Sequence, residues 1–99
     1  MEALQAVSDP TRKRIVELLA RGPKSSGEIA SEFPLTRPAI SQHLKTLKDA
    51  KLVRVRAQAQ RRIYELDPRG VGELSAWVGH IRRFWKDKLE ALETTLEKG

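Results

Sequence analysis

The sequence of 99 residues contains no cysteine and no long apolar run. Without thiols the chain cannot form disulfides, thiolate metal sites or thiol redox sensors, and the absence is compatible with a reducing cytosol. No apolar stretch approaches the ~20 residues that a transmembrane helix needs. The first residues, Met1–Val7, carry neither the basic region nor the apolar run of a signal peptide. These absences predict a cytoplasmic protein without a membrane partner.

The sequence also lacks the residue patterns of common catalytic and metal sites. There is no cysteine nucleophile, no cluster with metal-ligand spacing and no glycine-rich phosphate loop. Ser41 and His43 belong to one predicted helix, and we interpret them as part of a binding face and not as a catalytic pair. His80 has no second histidine at a suitable spacing. We therefore predict no enzyme activity, no metal site and no cofactor.

Positive charge is concentrated in one part of the chain. The sequence has 19 Lys+Arg against 13 Asp+Glu, a formal net charge of +6. Residues 36–62 contain eight bases and one acid, Asp49, whereas residues 67–99 contain six of each sign. A localised basic surplus favours an anionic partner such as nucleic acid.

The segment 36–51 is predicted to form the helix that faces such a partner. Ile40, Leu44 and Leu47 recur at i, i+4 and i+7, which is one apolar stripe of an α-helix, and Thr36 supplies an N-cap hydroxyl. The remaining polar face is either simply solvated or fits the major groove of DNA, where Gln and Arg make paired hydrogen bonds to base edges. It carries Arg37, Pro38, Ser41, Gln42, Lys45 and Lys48.

Three shorter helices are predicted before this segment. The first ends near Ser8. An Asp-Pro pair at 9–10 has the pattern of an N-cap followed by proline, and predicts a helix to about residue 21. Ser25 and Glu28 match a capping box and predict a third helix to about residue 33. The third helix and segment 36–51, joined by a short turn, have the arrangement of a helix-turn-helix.

After residue 51 the apolar period changes to two. Alternation over 52–56 and 62–66 predicts two β-strands joined by a five-residue loop over 57–61. We interpret this hairpin as a wing whose four arginines contact DNA phosphates or enter the minor groove. The alternative is that these charges protect an edge strand from pairing with other chains.

A long helix is predicted from about 70 to 97, opened by Asp67-Pro68. Its apolar residues recur at intervals of three or four over some 40 Å, at 1.5 Å per residue, which a core built from residues 1–66 cannot cover. Val71, Leu74 and Val78 are expected to pack within the chain, and the remainder against a second copy. The predicted interface residues, two of them in the first helix, are Leu4, Val7, Trp77, Ile81, Phe84, Trp85, Leu89, Leu92 and Leu96.

This order of elements resembles the winged helix-turn-helix regulators of the ArsR/SmtB family. The resemblance rests on S-D-P-T-R-K-R-I-V-E-L-L (8–19), R-P-A-I-S-Q-H-L-K-T-L (37–47), L-V-R-V-R (52–56) and R-R-I-Y-E-L-D-P (61–68). It implies a homodimeric prokaryotic transcription factor, usually a repressor, whose first and last helices form the dimer interface. It also implies that each recognition helix enters a major groove of a pseudo-palindromic operator, and that the cytoplasmic protein associates with the nucleoid when bound to DNA.

The chain departs from the family in two places. Members of the family that sense metals use cysteine pairs, or Asp, His and Glu ligands on the terminal helix, whereas this chain has no cysteine and only His80 on that helix. We therefore carry over DNA binding and not metal sensing. Lys51 stands where the family often has a glycine suited to a left-handed helix C-cap.

Two groups of residues are candidates for contact with double-stranded DNA. Gln42 is suited to paired hydrogen bonds with adenine, and Arg37 to paired hydrogen bonds with guanine. The candidates for contact with base edges are Arg37, Pro38, Ser41, Gln42 and Lys45. The candidates for phosphate contact, which positions the protein without reading sequence, are Thr36, His43, Lys48, Arg54, Arg56, Arg61 and Arg62.

The expected fold class is mainly α with a small β-hairpin, a winged helix-turn-helix with a long C-terminal dimerisation helix. We expect one domain over residues 1–99, with a DNA-binding core over 1–66 and the dimerisation helix in 67–99. The expected function is sequence-specific binding of double-stranded DNA through the recognition helix 37–50 and the wing 52–66. The alternative is a protein-interaction module that docks a partner through its long terminal helix. No residue pattern marks an effector site.

Overall fold

A computed structural model of the chain describes residues 1–98, and Gly99, the last residue of the predicted segment 67–99, lies outside the described residues. Helices dominate, and a small sheet lies in the second half of the chain. The elements are α1 (Glu2–Ala6), α2 (Pro10–Leu19), β1 (Lys24–Ser25), α3 (Ser26–Ser31), α4 (Arg37–Asp49), β2 (Val53–Gln58), β3 (Arg61–Leu66) and α5 (Pro68–Lys98). The expected mainly α fold with a winged hairpin is confirmed.

Three helices begin where their capping patterns predict. The Asp9 carboxylate accepts a hydrogen bond from the backbone N–H of Arg12 at 3.0 Å and caps α2. Ser25 Oγ accepts from the Glu28 N–H at 3.2 Å, and Glu28 Oε1 accepts in return from the Ser25 N–H at 2.9 Å, which completes the capping box of α3. The hydroxyl of Thr36 caps α4 in the same way. The predicted starts are confirmed, although α2 and α3 each end two residues before their predicted ends.

The apolar stripes of α2, α3 and α4 meet in one buried core. Ile15 of α2 and Ile29 of α3 are fully buried there, together with Ile40, Leu44 and Leu47 of α4. Two alanines of α1 close one side of this core. Because the stripe of α4 is buried, the opposite side of that helix is held toward solvent.

The sheet has three antiparallel strands in the order β1-β3-β2. The expected hairpin is present, with Val53 opposite Leu66 and Gln58 opposite Arg61. The third strand, β1, was not predicted, because it has only two residues and shows no alternation. It pairs Ser25 with Ile63, so the residue that caps α3 also joins the sheet to that helix.

The predicted five-residue loop of the hairpin is wrong. The strands continue to Gln58 and from Arg61, which leaves only Ala59 and Gln60 between them. Ala59 has a positive φ of 57°, a conformation that glycine, asparagine and aspartate normally supply in two-residue turns. The sequence contains none of these turn residues at 59–60, so the two-residue loop could not be predicted. The turn instead holds an alanine in the left-handed conformation, at a steric cost.

Helix α4 is terminated by a left-handed residue, Lys51, which follows its C-cap Ala50 and has a φ of 62°. The N–H of Leu52 donates to the carbonyl of Leu47, and the N–H of Lys51 donates to the carbonyl of Lys48, both at 3.0 Å. These two hydrogen bonds form a Schellman motif, which usually has glycine at the left-handed position.

We expect Lys51→Gly to stabilise the protein by about 0.5–1 kcal/mol, because glycine adopts positive φ without steric strain. The greater conformational freedom of glycine in the unfolded state offsets part of this gain. Urea denaturation followed by circular dichroism measures the change. Lys48→Gly, the same replacement inside α4, is the matched control and should destabilise by about 0.5–1 kcal/mol. Equal losses in both variants would contradict the left-handed assignment.

The last helix, α5, is docked directly on the residues that follow α4. The N–H of Asp67 donates to the carbonyl of Leu52, and the N–H of Gly70 donates to the carbonyl of Lys51, both at 2.8 Å. A Cβ built on Gly70 would lie 2.6 Å from the carbonyl carbon of Lys51, which is closer than atoms can approach. The close approach of two backbones therefore requires glycine at position 70.

The carboxylate of Asp67 fixes the start of α5. This side chain is 2 % exposed and accepts hydrogen bonds from the guanidinium of Arg69, the shortest at 2.6 Å from Nη2. The side-chain and backbone hydrogen bonds from Arg69 lower the pKa of Asp67 from 3.8 to about 2. Because the folded pKa is depressed, this carboxylate stabilises the fold above pH 3.8 and loses that effect as the pH falls toward 2.

Beyond its first turns α5 leaves the body of the molecule. Val71 and Leu74 are half-buried against the core, as predicted. Val78 is 45 % exposed, so the prediction that it packs within the chain is wrong. The body ends at that level of the helix, and the remaining turns of α5 extend into solvent within a molecule whose longest dimension is 65 Å.

Candidate nucleic-acid interface

The outer side of α4 is polar and open to solvent. All five residues assigned to base edges are exposed, as is Lys48, and they occupy the side of the helix opposite Ile40, Leu44 and Leu47. Within residues 1–98 the side chains of Arg37, Ser41, Gln42 and Lys45 form no hydrogen bond or ion pair with other protein groups. Their donors and acceptors are therefore available to a ligand.

His43 occupies a different side of α4, next to α2. Its side chain is half-buried, with Nδ1 3.4 Å from Nη1 of Arg12 and 4.0 Å from the Asp9 carboxylate. The backbone N–H of Arg12 is the main cause that lowers the pKa of Asp9, and the charges of Arg12 and His43 act in the same direction. His43 therefore connects α4 to the cap of α2. It lies beside the exposed row of α4, which is formed by Arg37, Ser41, Gln42 and Lys45.

A groove separates the start of α4 from the tip of the hairpin. Its lining includes Ser26 and Ser31, at the two ends of α3, together with Arg37, Arg61 and Arg62. Arg37 is more than twenty residues from the adjacent pair Arg61 and Arg62 in the sequence, and the fold brings all three to one opening. The carboxylate of Glu28 also lines the groove, and the three arginines still leave the lining positive, which is the sign of charge that attracts a phosphate backbone.

The arginines of the wing differ in what they already contact. Arg54 and Arg56 lie on one face of β2, and their Nε atoms are 3.2 and 3.6 Å from Oε1 of Glu65 on β3. Arg61 donates to Ser25 Oγ at 3.1 Å and lies 3.3 Å from Glu28 Oε1. DNA phosphates would therefore have to compete with these carboxylates.

Arg62 is the remaining wing arginine of the predicted set. It is exposed, faces the groove, and forms no hydrogen bond or ion pair within the described part of the chain. The two carboxylates that engage the other wing arginines were not found by sequence reasoning. Glu65 would have been found only with the strand register, which places it directly opposite Arg54.

The helix α5 carries large apolar side chains that are exposed in the single chain. Its exposed large side chains range from Trp77, at 38 %, to Leu96, at 71 %. Of the other predicted interface residues, Ile81 of α5, Leu4 of α1 and Val7, the C-cap of α1, are half-buried. The predicted interface residues exposed on α5 are Trp77, Phe84, Trp85, Leu89, Leu92 and Leu96.

Searches for other kinds of site give negative results over residues 1–98. No group of three or more His, Cys, Asp or Glu side chains is placed to hold a metal ion in this part of the chain. None of the described helices combines the length and apolarity that crossing a bilayer requires.

The family profile described as "Bacterial regulatory protein, arsR family" matches residues 9–55, which include α2, α3, α4 and the start of the wing. The HTH-type transcriptional regulator Rv2034 of Mycobacterium tuberculosis is 51% identical over 83 residues, which cover 84% of this chain and 75% of the relative. This chain belongs to the ArsR family.

Two further comparisons define the relationship. The transcriptional repressor SdpR of Bacillus subtilis is 35% identical over 74 residues, covering 75% of this chain and 82% of the relative. The homodimeric winged helix-turn-helix DNA-binding domain of Mb0332 from Mycobacterium bovis superimposes with a TM-score of 0.68 at 27% identity. The match covers 83% of this chain and 76% of that one.

Membership of the ArsR family settles the general function. The protein is a DNA-binding transcriptional regulator with a winged helix-turn-helix, and it belongs to a family of regulators and not of enzymes. It lacks cysteine altogether, so the thiolate metal sites expected of some members cannot exist in this chain. The resemblance inferred from segments 8–19, 37–47, 52–56 and 61–68 is confirmed.

Proposed function

We propose that the protein is a homodimeric repressor that binds a pseudo-palindromic operator, one half-site for each recognition helix α4. The observation that carries this proposal is the row of exposed polar residues on α4 without partners in the described chain, held outward by a fully buried stripe. An α-helix with such a face fits the major groove of DNA.

We assign recognition of the DNA sequence to the exposed row of α4. Gln42 can accept from and donate to adenine, and Arg37 can donate twice to guanine, while Ser41 and Lys45 extend the row along the groove. Pro38 has no N–H to donate and is assigned an apolar contact in the same groove. Each good bidentate pair discriminates against a wrong base by about 1–3 kcal/mol.

Phosphate contacts are assigned to the border of this row and to the wing. The candidates Thr36 and Lys48 lie at the two ends of α4, and Arg62 lies across the groove. Arg54, Arg56 and Arg61 are secondary candidates, because each would exchange a protein carboxylate for a phosphate. His43 is assigned a positioning role through Asp9, beside any phosphate contact.

The homodimer is supported by the exposed apolar surface of α5, which is unusual on a small monomer, and by the homodimeric state of the Mycobacterium bovis domain. Repression is supported by the name of the Bacillus subtilis relative. A repressor acts where the chromosome is, so we assign the protein to the prokaryotic cytoplasm, bound to the nucleoid. Residues 1–66 would form the DNA-binding unit and residues 67–99 the dimerisation segment of one domain.

Selection of bound duplexes from a random pool tests the proposal. We expect recovered sequences to contain inverted half-sites separated by about one helical turn, because the two α4 helices are related by a two-fold axis. Recovery of single, unrepeated sites would contradict the dimeric operator. Tight capture of a protein partner through α5, without salt-dependent DNA binding, would favour the interaction-module alternative.

Replacement of Gln42 provides a sharper test of base reading. We expect Gln42→Ala to reduce the ratio of operator to random-DNA affinity by about tenfold, and to leave the slope of log K against log salt unchanged. Fluorescence anisotropy at several salt concentrations measures both quantities. Lys48→Ala is the matched control on the same face, and should weaken both DNAs equally while flattening the slope by about 0.9. If Gln42→Ala behaved like Lys48→Ala, the base-reading assignment would be wrong.

A further inference from the structure

Arg61, at the start of β3, joins the tip of the hairpin to the capping box of α3. Its Nη2 donates to Ser25 Oγ at 3.1 Å and to Glu28 Oε1 at 3.3 Å. These two oxygens are the side-chain acceptors of the capping box itself. Hydrogen bonds from Ser25 are the main causes that lower the pKa of Glu28, and the charge of Arg61 acts in the same direction. A buried hydroxyl and an ionised carboxylate therefore hold the guanidinium of Arg61.

The outer part of the hairpin has little other support. The strand β1 pairs with β3 at residues 63 and 64 only, so residues 57–62 extend beyond the third strand of the sheet. Within residues 1–98, Arg61 forms the only side-chain hydrogen bonds between this tip and parts of the chain outside the hairpin. The contacts of Arg61 therefore fix the orientation of the tip relative to α3.

Arg62, the next residue, lies on the opposite face of β3, because side chains alternate along a strand. Tyr64 is two residues further along that same face, and it lines a small cavity together with Ile40 and Leu44 of α4. Arg62 is therefore on the face turned toward α4, and it lines the groove with Arg37. Because Arg62 is part of the tip, the position of its guanidinium depends on how the tip is held.

We infer that Arg61 is a positioning residue, which holds the tip of the wing against the start of α3 and so presents Arg62 to the DNA backbone. This inference rests on the proposed function, and it replaces the secondary phosphate contact of Arg61 with a role inside the protein. Arg61 keeps its protein partners when DNA binds, and the phosphate contact belongs to Arg62. Loss of the Arg61 side chain should then remove the phosphate contact of Arg62 as well.

A double-mutant cycle on salt dependence tests this role. Arg61→Ala and Arg62→Ala should each flatten the slope of log K against log salt by about 0.9, because each loses the same phosphate contact. The double variant should also flatten the slope by about 0.9, whereas two independent phosphate contacts would give about 1.8. Fluorescence anisotropy with operator DNA measures the four slopes. A change near 1.8 in the double variant, or no change in Arg61→Ala, would overturn the inference.

Arg54 and Arg62 provide the matched control cycle. Arg54 is also a wing arginine with a carboxylate partner, but its hydrogen bond to Glu65 lies within the hairpin. The slope changes of Arg54→Ala and Arg62→Ala should therefore add in the double variant. If this cycle showed the same coupling as the cycle with Arg61, any change in the wing would remove the Arg62 contact, and Arg61 would have no specific role.

The mobility of the hairpin tip in the free protein gives a measurement that needs no DNA. The chain has no cysteine, so Gln60→Cys provides a single site for a nitroxide label at the turn. Arg61→Ala should narrow the electron paramagnetic resonance lines of this label, because the tip loses its contacts with Ser25 and Glu28. Arg62→Ala removes an arginine without partners in the described chain and should leave the lines unchanged. Identical spectra for the two variants would overturn the inference.

The Arg61 side chain is 62 % exposed, so its replacement should leave the protein folded, which circular dichroism verifies. These results separate the inference from the proposed function. A wild-type protein that binds inverted half-sites, but whose Arg61 and Arg62 variants show additive slope changes, would leave the proposed function standing and remove the role of Arg61. A wild-type protein that binds no duplex would overturn both.

Discussion

Gly70→Ala is expected to destabilise the protein by about 3 kcal/mol. The added Cβ would lie against the carbonyl group of Lys51 and 2.9 Å from the backbone nitrogen of Leu52. These are backbone atoms held by the hydrogen bonds that join α5 to the end of α4, so they cannot move aside as a flexible side chain would. Overpacking of this kind exceeds the gain of up to about 1 kcal/mol that alanine normally gives inside a helix.

Gly72→Ala is the matched control, because a Cβ at Gly72 meets nothing within 4 Å. The same replacement two residues along the same helix should stabilise by about 0.5–1 kcal/mol. Thermal and urea denaturation of both variants measure the difference. Similar stabilities for the two variants would show that the contact between positions 70 and 51 is not as close as described.

The contact at Gly70 also matters for DNA binding. It joins α5, the helix assigned to dimerisation, by a backbone hydrogen bond to Lys51, the residue that follows the C-cap of α4. If the dimer fixes the spacing of its two α5 helices, this junction passes that spacing on to the two α4 helices. Gly70→Ala should therefore weaken operator binding even at temperatures at which the variant remains folded.

The helices could be predicted well from the sequence because their signals are local. Asp9, Ser25 and Thr36 each accept a hydrogen bond from a backbone N–H three residues ahead, and such a cap depends on few neighbours. The buried stripe of α4 follows from the helical period alone. Features that depend on distant parts of the chain could not be read in this way.

Three such features show the limit. The strand at Lys24–Ser25 exists only because β3 is available to pair with it. The turn at Ala59 takes a conformation that its residue type does not favour, which the rest of the hairpin imposes. The requirement for glycine at position 70 depends on where the backbone of residue 51 lies in space.

For the candidate site, the sequence predicted which residues of α4 are exposed, but not the contacts that the wing arginines make within the protein. The exposed row of α4 lies where its residues were expected, since the helical period determines which side is buried. All four wing arginines were predicted as candidates for phosphate contact, whereas the structure distinguishes Arg62 from three that contact Glu65 or Glu28. Pairing across strands depends on register, which was not predicted from the sequence.

Trp85→Glu is expected to convert the dimer into monomers and to weaken operator binding by about 10²–10⁴-fold. Trp85 is 53 % exposed in the single chain, so a glutamate there should not unfold the protein. In the dimer that we propose, the same position lies within the apolar surface of α5 that the second copy covers, where burial of an unpaired carboxylate has a high desolvation cost. Two linked recognition helices gain affinity through their high effective concentration, and monomers lose that gain.

Sedimentation equilibrium and anisotropy with operator DNA measure the two effects, and far-ultraviolet circular dichroism verifies the fold. Thr94→Glu introduces the same charge nine residues along α5, about 180° around the helix from Trp85, and should leave a dimer with unchanged affinity. A folded Trp85→Glu variant that remained dimeric would show that α5 is not the dimer contact. The exposed apolar surface would then favour the interaction-module alternative, and the spacing of the recognition helices would have to be set by α1.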